Sequence, residues 1–377
     1  MESKRSVGAA LQPFVEQGKM AGAVLLVSSK DGVLDEAAIG LADLTTGRAM
    51  EADAFFWVAS QSKAITSTAL MMLVEEKKIK VEDPVEKYLP EFRGQVLVEK
   101  DNPTPRAPRH TITVLEVLTH TSGMPFSAPE EGKVYDRMPL RAMAELYART
   151  PLGCEPGTDF LYSNIGTNIV GRLVEVIGGL PYETFMDRRL FEPLGMRDTT
   201  FWPTPEQLAR LAKTYRLDAE TGKLVEQPIE QLSYPLDDRS NRYPLPAGGL
   251  FSTARDIERY CRFFLQGGEL DGARLLSAAS IAQMTTRHTP PHFEKSYGFG
   301  WAIEPDGAFS HGGAYNTFMK VDPARGLVMV YLPQHSGAMT SPGAPDPLAT
   351  FLAAAESWSD KKPATSGAVT VIGSPRS

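Results

Sequence analysis

A chain of 377 residues, 42% hydrophobic and 23% charged, has the make-up of a globular protein with a large core, and its length exceeds what one core usually fills, which predicts two structural lobes. The net charge of -7, with no stripe of Lys and Arg interleaved with aromatics, argues against nucleic acid as a partner. Two cysteines, Cys154 and Cys261, cannot build a disulfide framework, and the six histidines never fall into an HExxH pattern, so neither a metal nor another cofactor is expected.

The N-terminal residues predict an amphipathic helix over 6–17, with Leu11, Phe14 and Val15 on one face. Gln12, Glu16, Gln17 and Lys19 interrupt any apolar run behind Lys4 and Arg5. That pattern is not a secretory signal, and a cytoplasmic protein is the expectation. No apolar segment is long enough to span a bilayer. Two apolar runs, 23–27 and 33–39, flank Lys30-Asp31-Gly32 and predict a hairpin.

From Ser60 to about Leu245 helical patterns dominate. After Lys63 the residues Ile65, Ala69, Met72 and Leu73 recur at the spacing of one buried helix face, with Ser60 at the helix start. Asp83-Pro84 reads as an N-cap with proline at the first helical position, and Thr113 to Glu116 has capping-box spacing. Ser163-Asn164 opens a helix with Ile165, Ile169, Leu173 and Ile177 on one face, ended by Gly178-Gly179. Residues 101–109 and 200–205 are expected as long loops.

The last third predicts a helix from Thr253 to Gly267-Gly268, another after Ser277, and strands at 297–303, 316–321 and 327–332. An apolar helix follows Asp346, and a polar tail begins near Ser359. The order implies an α+β fold: an antiparallel sheet built from both chain ends, flanking helices, and an inserted, mainly helical lobe. The expected boundaries are 1–59 with 246–358 for the sheet lobe, 60–245 for the helical lobe, and 359–377 for a flexible tail. Catalytic groups would meet in the cleft between lobes.

The chemistry starts at Ser60-x-x-Lys63. One helical turn returns Lys63 to the side of Ser60, and an amine kept neutral by its surroundings can take the proton that makes a serine hydroxyl a poor nucleophile. The motif has only two defined positions, and a second copy at Ser359-Asp360-Lys361-Lys362 sits in a polar stretch as a solvated accident.

Context distinguishes the first copy. Ser60-x-x-Lys63, Tyr162-Ser163-Asn164 and His311-Gly312-Gly313, in that order, resemble the penicillin-recognising serine hydrolases. The likeness is nearest to the class C β-lactamase branch, which includes family VIII carboxylesterases, D-stereospecific aminopeptidases and DD-peptidases. Leu118-Thr119-His120-Thr121-Ser122-Gly123, Pro193-Leu194-Gly195-Met196 and Ala247-Gly248-Gly249-Leu250-Phe251 support it. His335-Ser336-Gly337 is a decoy, because it follows the last strand. The resemblance implies a β-lactamase/transpeptidase-like fold, Ser60 as the acylated nucleophile, and Lys63 and Tyr162 sharing proton transfer, with the choice of base left open. It further implies Asn164 as an orienting group, and the N–H groups of Ser60 and Ala314, just past Gly313, as donors to the oxyanion. Glycine at 312 and 313 lets backbone approach a ligand closely.

The branch usually has lysine where this chain has His311, followed by threonine where it has Gly312, and that pair helps bind a substrate carboxylate. Histidine is mostly neutral at pH 7. A carboxylesterase for short acyl chains is therefore expected, acting on a small-molecule ester, with weak or no β-lactamase activity. The alternatives are a β-lactamase or D-amino-acid peptidase or amidase, and a ligand-sensing protein on the same fold. The oligomeric state is not readable.

Overall fold

The computed structural model describes residues 6–359. The second Ser-x-x-Lys copy and the expected tail lie, beyond Ser359, outside the described residues. The first helix, α1 (Val7–Glu16), leads into β1 (Gly22–Ser29), and the Asp31-Gly32 hairpin turns it into β2 (Gly32–Asp43), followed by the short β3 (Arg48–Ala49). From the other chain end come β4 (Ala302–Ile303), β5 (Phe309–Gly312), β6 (Phe318–Asp322) and β7 (Leu327–Leu332). All seven form one antiparallel sheet in the order β4-β5-β6-β7-β1-β2-β3. The two ends are joined by β1 against β7, with Val24 opposite Leu332 and Ser29 opposite Leu327.

Successive strand side chains point to opposite faces, and β1 is apolar on both. Ala23, Leu25 and Val27 pack with Leu11 of α1 and with Phe351 of a C-terminal helix. Val24 and Leu26 belong to the larger core on the other side, with Ile257 and Tyr260 of the helix Ala254–Leu265. The sheet is thus covered on both faces.

Between Trp57 and Phe251 runs the helical part: α2 (Ser62–Glu75), α3 (Val114–Leu118), α4 (Leu140–Arg149) and α5 (Asn164–Gly178). Local signals are realised here. Thr113 and Glu116 form the reciprocal capping box of α3, and Ser163 caps α5, which Gly179 ends in a left-handed conformation at φ 68°.

Five expectations need correction. Ser60 lies in a 3-10 turn, Ala59–Gln61, that precedes α2 rather than in the α-helix itself. Every residue of α2 from Ser62 to Leu73 is buried, not one face, because the helix is enclosed by neighbours on all sides. Pro84 is extended and precedes only a 3-10 turn, Val85–Lys87, while the Asp83 carboxylate receives Lys80 N–H, Lys87 and the Tyr88 hydroxyl. Residues 101–109 are not a bare loop: Asn102–Arg106 pairs with Leu97–Glu99, and Arg106 bridges Glu99 and Glu155. The strand expected over 297–303 shrinks to Ala302–Ile303, since Gly298 and Gly300 make close backbone turns.

Candidate active site

The turn carrying Ser60 is held from two sides. Val58 N–H donates to Leu250 and the Trp57 indole to Gly248, pinning it to residues 248–250. From the sheet, Thr317 Oγ reaches the Val58 carbonyl at 3.3 Å. A Cβ on Gly313 would lie 2.6 Å from that same carbonyl and 2.2 Å from Thr317 Oγ1, so only glycine lets β5 press against the turn. Ala59 has φ 48°, which a residue with a side chain adopts only when its surroundings enforce it.

Within this frame Lys63, 1% exposed, stands over Ser60. Its Nζ lies 3.1 Å from Ser60 Oγ, 2.7 Å from Asn164 Oδ1 and 2.7 Å from the Ala247 carbonyl. Burial pushes the amine from an ordinary 10.5 down to about 7. The valence of the nitrogen then matters. Asn164 Oδ1 and Ala247 O only accept, so they take the two N–H bonds of a neutral amine and leave its lone pair facing the Ser60 hydroxyl.

Tyr162 sits beside this pair, with Lys63 Nζ 4.8 Å from its ring centre. Burial raises its phenol above the usual range, opposed by a hydrogen bond with Ser60, and the phenol stays protonated at neutral pH. The residues flanking the tyrosine are both held by His120: Leu161 N–H donates to its carbonyl and Ser163 N–H to its ring Nδ1. The His120 ring lies against Tyr162, centres 4.6 Å apart and planes tilted by 45°, and the residue is itself at φ 60°. Burial, and then the neighbouring Lys63 and His311, hold it well below 6.5 and so neutral.

His311 lies on β5, paired opposite Met319. The Gly312 carbonyl, 2.7 Å from Nδ1, can only accept, so Nδ1 carries the proton and Nε2 receives the Tyr297 hydroxyl at 3.1 Å. Burial first, then Lys63, lower the imidazole from 6.5 to about 3. It is therefore a neutral ring with both nitrogens engaged. The partner strand β4 stops opposite Ser310, leaving the outer edge of β5 open beyond it. Gly313 N–H turns inward to Thr317, and among the described residues neither the Ala314 N–H nor that of Ser60 has an acceptor.

The structure thus gathers Ser60, Lys63, Tyr162 and Asn164 in direct or adjacent contact, and brings the end of β5, with His311, Gly312, Gly313 and Ala314, to the same turn. His335 is elsewhere, buried past the end of β7. Sequence reasoning passed over His120, Tyr297, Asn168 and Ala247 as individual residues. Ala247 acts through main-chain atoms alone, so its side-chain identity signalled little, whereas His120 acts through its ring on residues more than 40 positions away, a pairing that local sequence does not announce. Among the described residues no group of His, Cys, Asp and Glu could hold a metal ion, and no helix is long and apolar enough to cross a membrane.

With this geometry in hand, the chain matches the beta-lactamase family over residues 7–354. An uncharacterised Mycobacterium tuberculosis protein is 30% identical over 362 residues, spanning 87% of this chain and 89% of that one. Penicillin-binding protein 4 of Amycolatopsis lactamdurans is 31% identical over 324 residues, 82% of this chain and 80% of its own. Among solved structures, EstCE1, described as a hydrolase with promiscuous acyltransferase activity, superposes with a TM-score of 0.79 at 23% identity, covering 93% of this chain and 97% of that one. That likeness concerns the fold.

Proposed function

The chain belongs to the beta-lactamase family, a family of serine hydrolases, and from that premise we propose that it is a carboxylesterase acting on neutral, short-chain esters through an acyl-enzyme at Ser60, with weak or no β-lactamase activity. Ser60 Oγ attacks the ester carbonyl as its proton passes to the Lys63 lone pair. The oxygen that becomes negative is met by the N–H groups of Ser60 and Ala314, worth about 3 kcal/mol each where one has been removed from a comparable hole. Collapse of the adduct breaks the bond to the alkoxy oxygen, which takes the proton back from Lys63 directly or across the Tyr162 hydroxyl. Water then repeats the sequence on the acyl group, with the proton returned to Ser60. Of the two candidate bases Lys63 is the better fit, because its amine is near 7 while the Tyr162 phenol is raised.

The observation that carries the substrate class is the state of His311. A carboxylate-bearing substrate needs a fixed cation where the family resemblance expects lysine, and this imidazole is neutral, buried and bonded at both nitrogens. The two-lobe division, 1–59 with 246–358 against 60–245, belongs to the same proposal. Rates on p-nitrophenyl butyrate, nitrocefin and D-alanyl p-nitroanilide, with Ser60→Ala as control, test it. Ester hydrolysis that disappears in the variant is expected. Nitrocefin turnover exceeding ester turnover would reverse the substrate assignment, and equal turnover by Ser60→Ala would remove the nucleophile.

A further inference from the structure

We propose that Glu131, Tyr147 and Asn168 are positioning residues for the lysine base, forming a hydrogen-bonded relay that holds the Ala247 carbonyl where it takes one Lys63 N–H and so aims the amine's lone pair at Ser60. The proposal rests on the reading of Lys63 as the base.

The relay is continuous. Lys63 Nζ donates to Ala247 O at 2.7 Å, and Ala247 N–H donates to Asn168 Oδ1 at 3.0 Å. Asn168 Nδ2 donates to the Tyr147 hydroxyl at 2.9 Å, and that hydroxyl donates to Glu131 Oε1 at 2.5 Å. Glu131 Oε2 receives Ala128 N–H at 2.6 Å, which closes the chain on the loop beside Tyr162. Every donor has an acceptor and no link can be reversed, because Ala247 N–H only donates and the amide of Asn168 is thereby oriented.

Two features separate this from ordinary polar packing. Asn164 and Asn168 lie one turn apart on α5, so the same helix face holds Lys63 twice, once directly and once through Ala247. The loop that ends at Glu131 also anchors the start of α5: Asn164 N–H donates to Phe126 O and Ser163 Oγ to Pro125 O. A displacement of the loop therefore reaches both of the fixed acceptors of Lys63. Segment 246–247 is further wedged between helices, since a Cβ on Gly171 would meet Pro246 Cγ at 2.2 Å and Thr66 Oγ1 donates to Pro246 O.

The titratable groups around the amine are Tyr162, His120 and His311, and those around Glu131 are Glu130, Tyr135 and Tyr147. None of the three beside Lys63 belongs to the relay. A change in the acid limb of the pH profile after altering Asn168 or Tyr147 consequently reports on the position and solvation of Lys63.

The test compares Asn168→Leu and Tyr147→Phe with the parent on p-nitrophenyl butyrate across pH 5–9, per active site titrated with a fluorophosphonate. Misplacing a reacting group by about 1 Å can cost about a hundredfold, and a partial slip of the carbonyl is expected to lower kcat about tenfold with KM within about twofold. Water admitted to the amine moves the acid limb of kcat/KM upward, by about half a pH unit or more. Tyr147→Phe removes a single oxygen and carries the test if Asn168→Leu does not fold. Folded variants with the parent's kcat and acid limb would overturn the relay. A Lys63→Met variant that retained full turnover would instead overturn the base assignment, so the two failures are distinct.

Discussion

Replacing Lys63 with methionine should harm catalysis and, at neutral pH, help the fold. In the unfolded chain the amine holds its proton to about 10.5, and in the folded chain only to about 7. At about 1.4 kcal/mol per tenfold, keeping this lysine inside costs the native state about 4–5 kcal/mol at pH 7 and below. Against that stand the hydrogen bonds to Asn164 and Ala247, about 1 kcal/mol each net, and the desolvated acceptors that methionine would orphan. The variant is expected to be about 1–2 kcal/mol more stable than the parent at pH 7. The sign follows from proton binding: between pH 7 and 10.5 the unfolded state holds more protons than the folded one, so the parent's stability gains on the variant's as pH rises. Above about 10.5 the cost has vanished, the lost hydrogen bonds and orphaned acceptors remain, and the variant is expected to be the less stable by about 3 kcal/mol. Urea unfolding of both proteins at pH 7, 8.5 and 10 measures the difference, and the titrations they share cancel. Ester hydrolysis, meanwhile, should fall by a factor of about 10²–10⁴ for loss of a general base. A stability difference that stayed constant across this range would refute the argument, because it would mean that the buried amine titrates as it does in the unfolded chain.

Two further outcomes follow from the site and its supports. His311→Lys puts a cation where a neutral ring now bonds Tyr297 and Gly312, and the ratio of nitrocefin to p-nitrophenyl butyrate kcat/KM is expected to rise at least about tenfold; an unchanged ratio would show that this position does not set preference for charge. Asp136→Ala strips the partner from Arg242, both side chains being at most 2% exposed, and leaves a buried guanidinium with the carbonyls of Phe201 and Leu236 and the face of the Phe251 ring but no anion to balance it among the described residues. Breaking such a pair costs about 3–5 kcal/mol, visible as a lowered midpoint in urea, and a loss below about 1 kcal/mol would refute the reading of the pair as a buried one.

Features governed by neighbours in sequence were legible without coordinates. The Ser60 to Lys63 approach needs only one helical turn, the Thr113 and Glu116 capping box closes within four residues, and the Asp31-Gly32 hairpin follows from turn chemistry between two apolar runs. The pattern of strands at both chain ends also implied the sheet, because segments apolar on both faces need cover on both.

What escaped was governed by partners far along the chain. That α2 is buried on every side depends on the elements around it, and its own periodicity showed only one face. Pro84 and the 102–106 strand took their conformations from backbone pairing, Pro84 with Thr113 and Leu97 with Arg106, which side-chain patterns do not announce.

Chain order and residue type, then, determined which chemistry this protein is equipped for: a hydroxyl, an amine, a phenol and a neutral imidazole in the arrangement of one family. Only the folded molecule decided whether the amine could act as a base. Its proton affinity depends on being sealed from water against carbonyls 184 and 101 residues away, and desolvation is a property of the packed interior that no short stretch of sequence possesses.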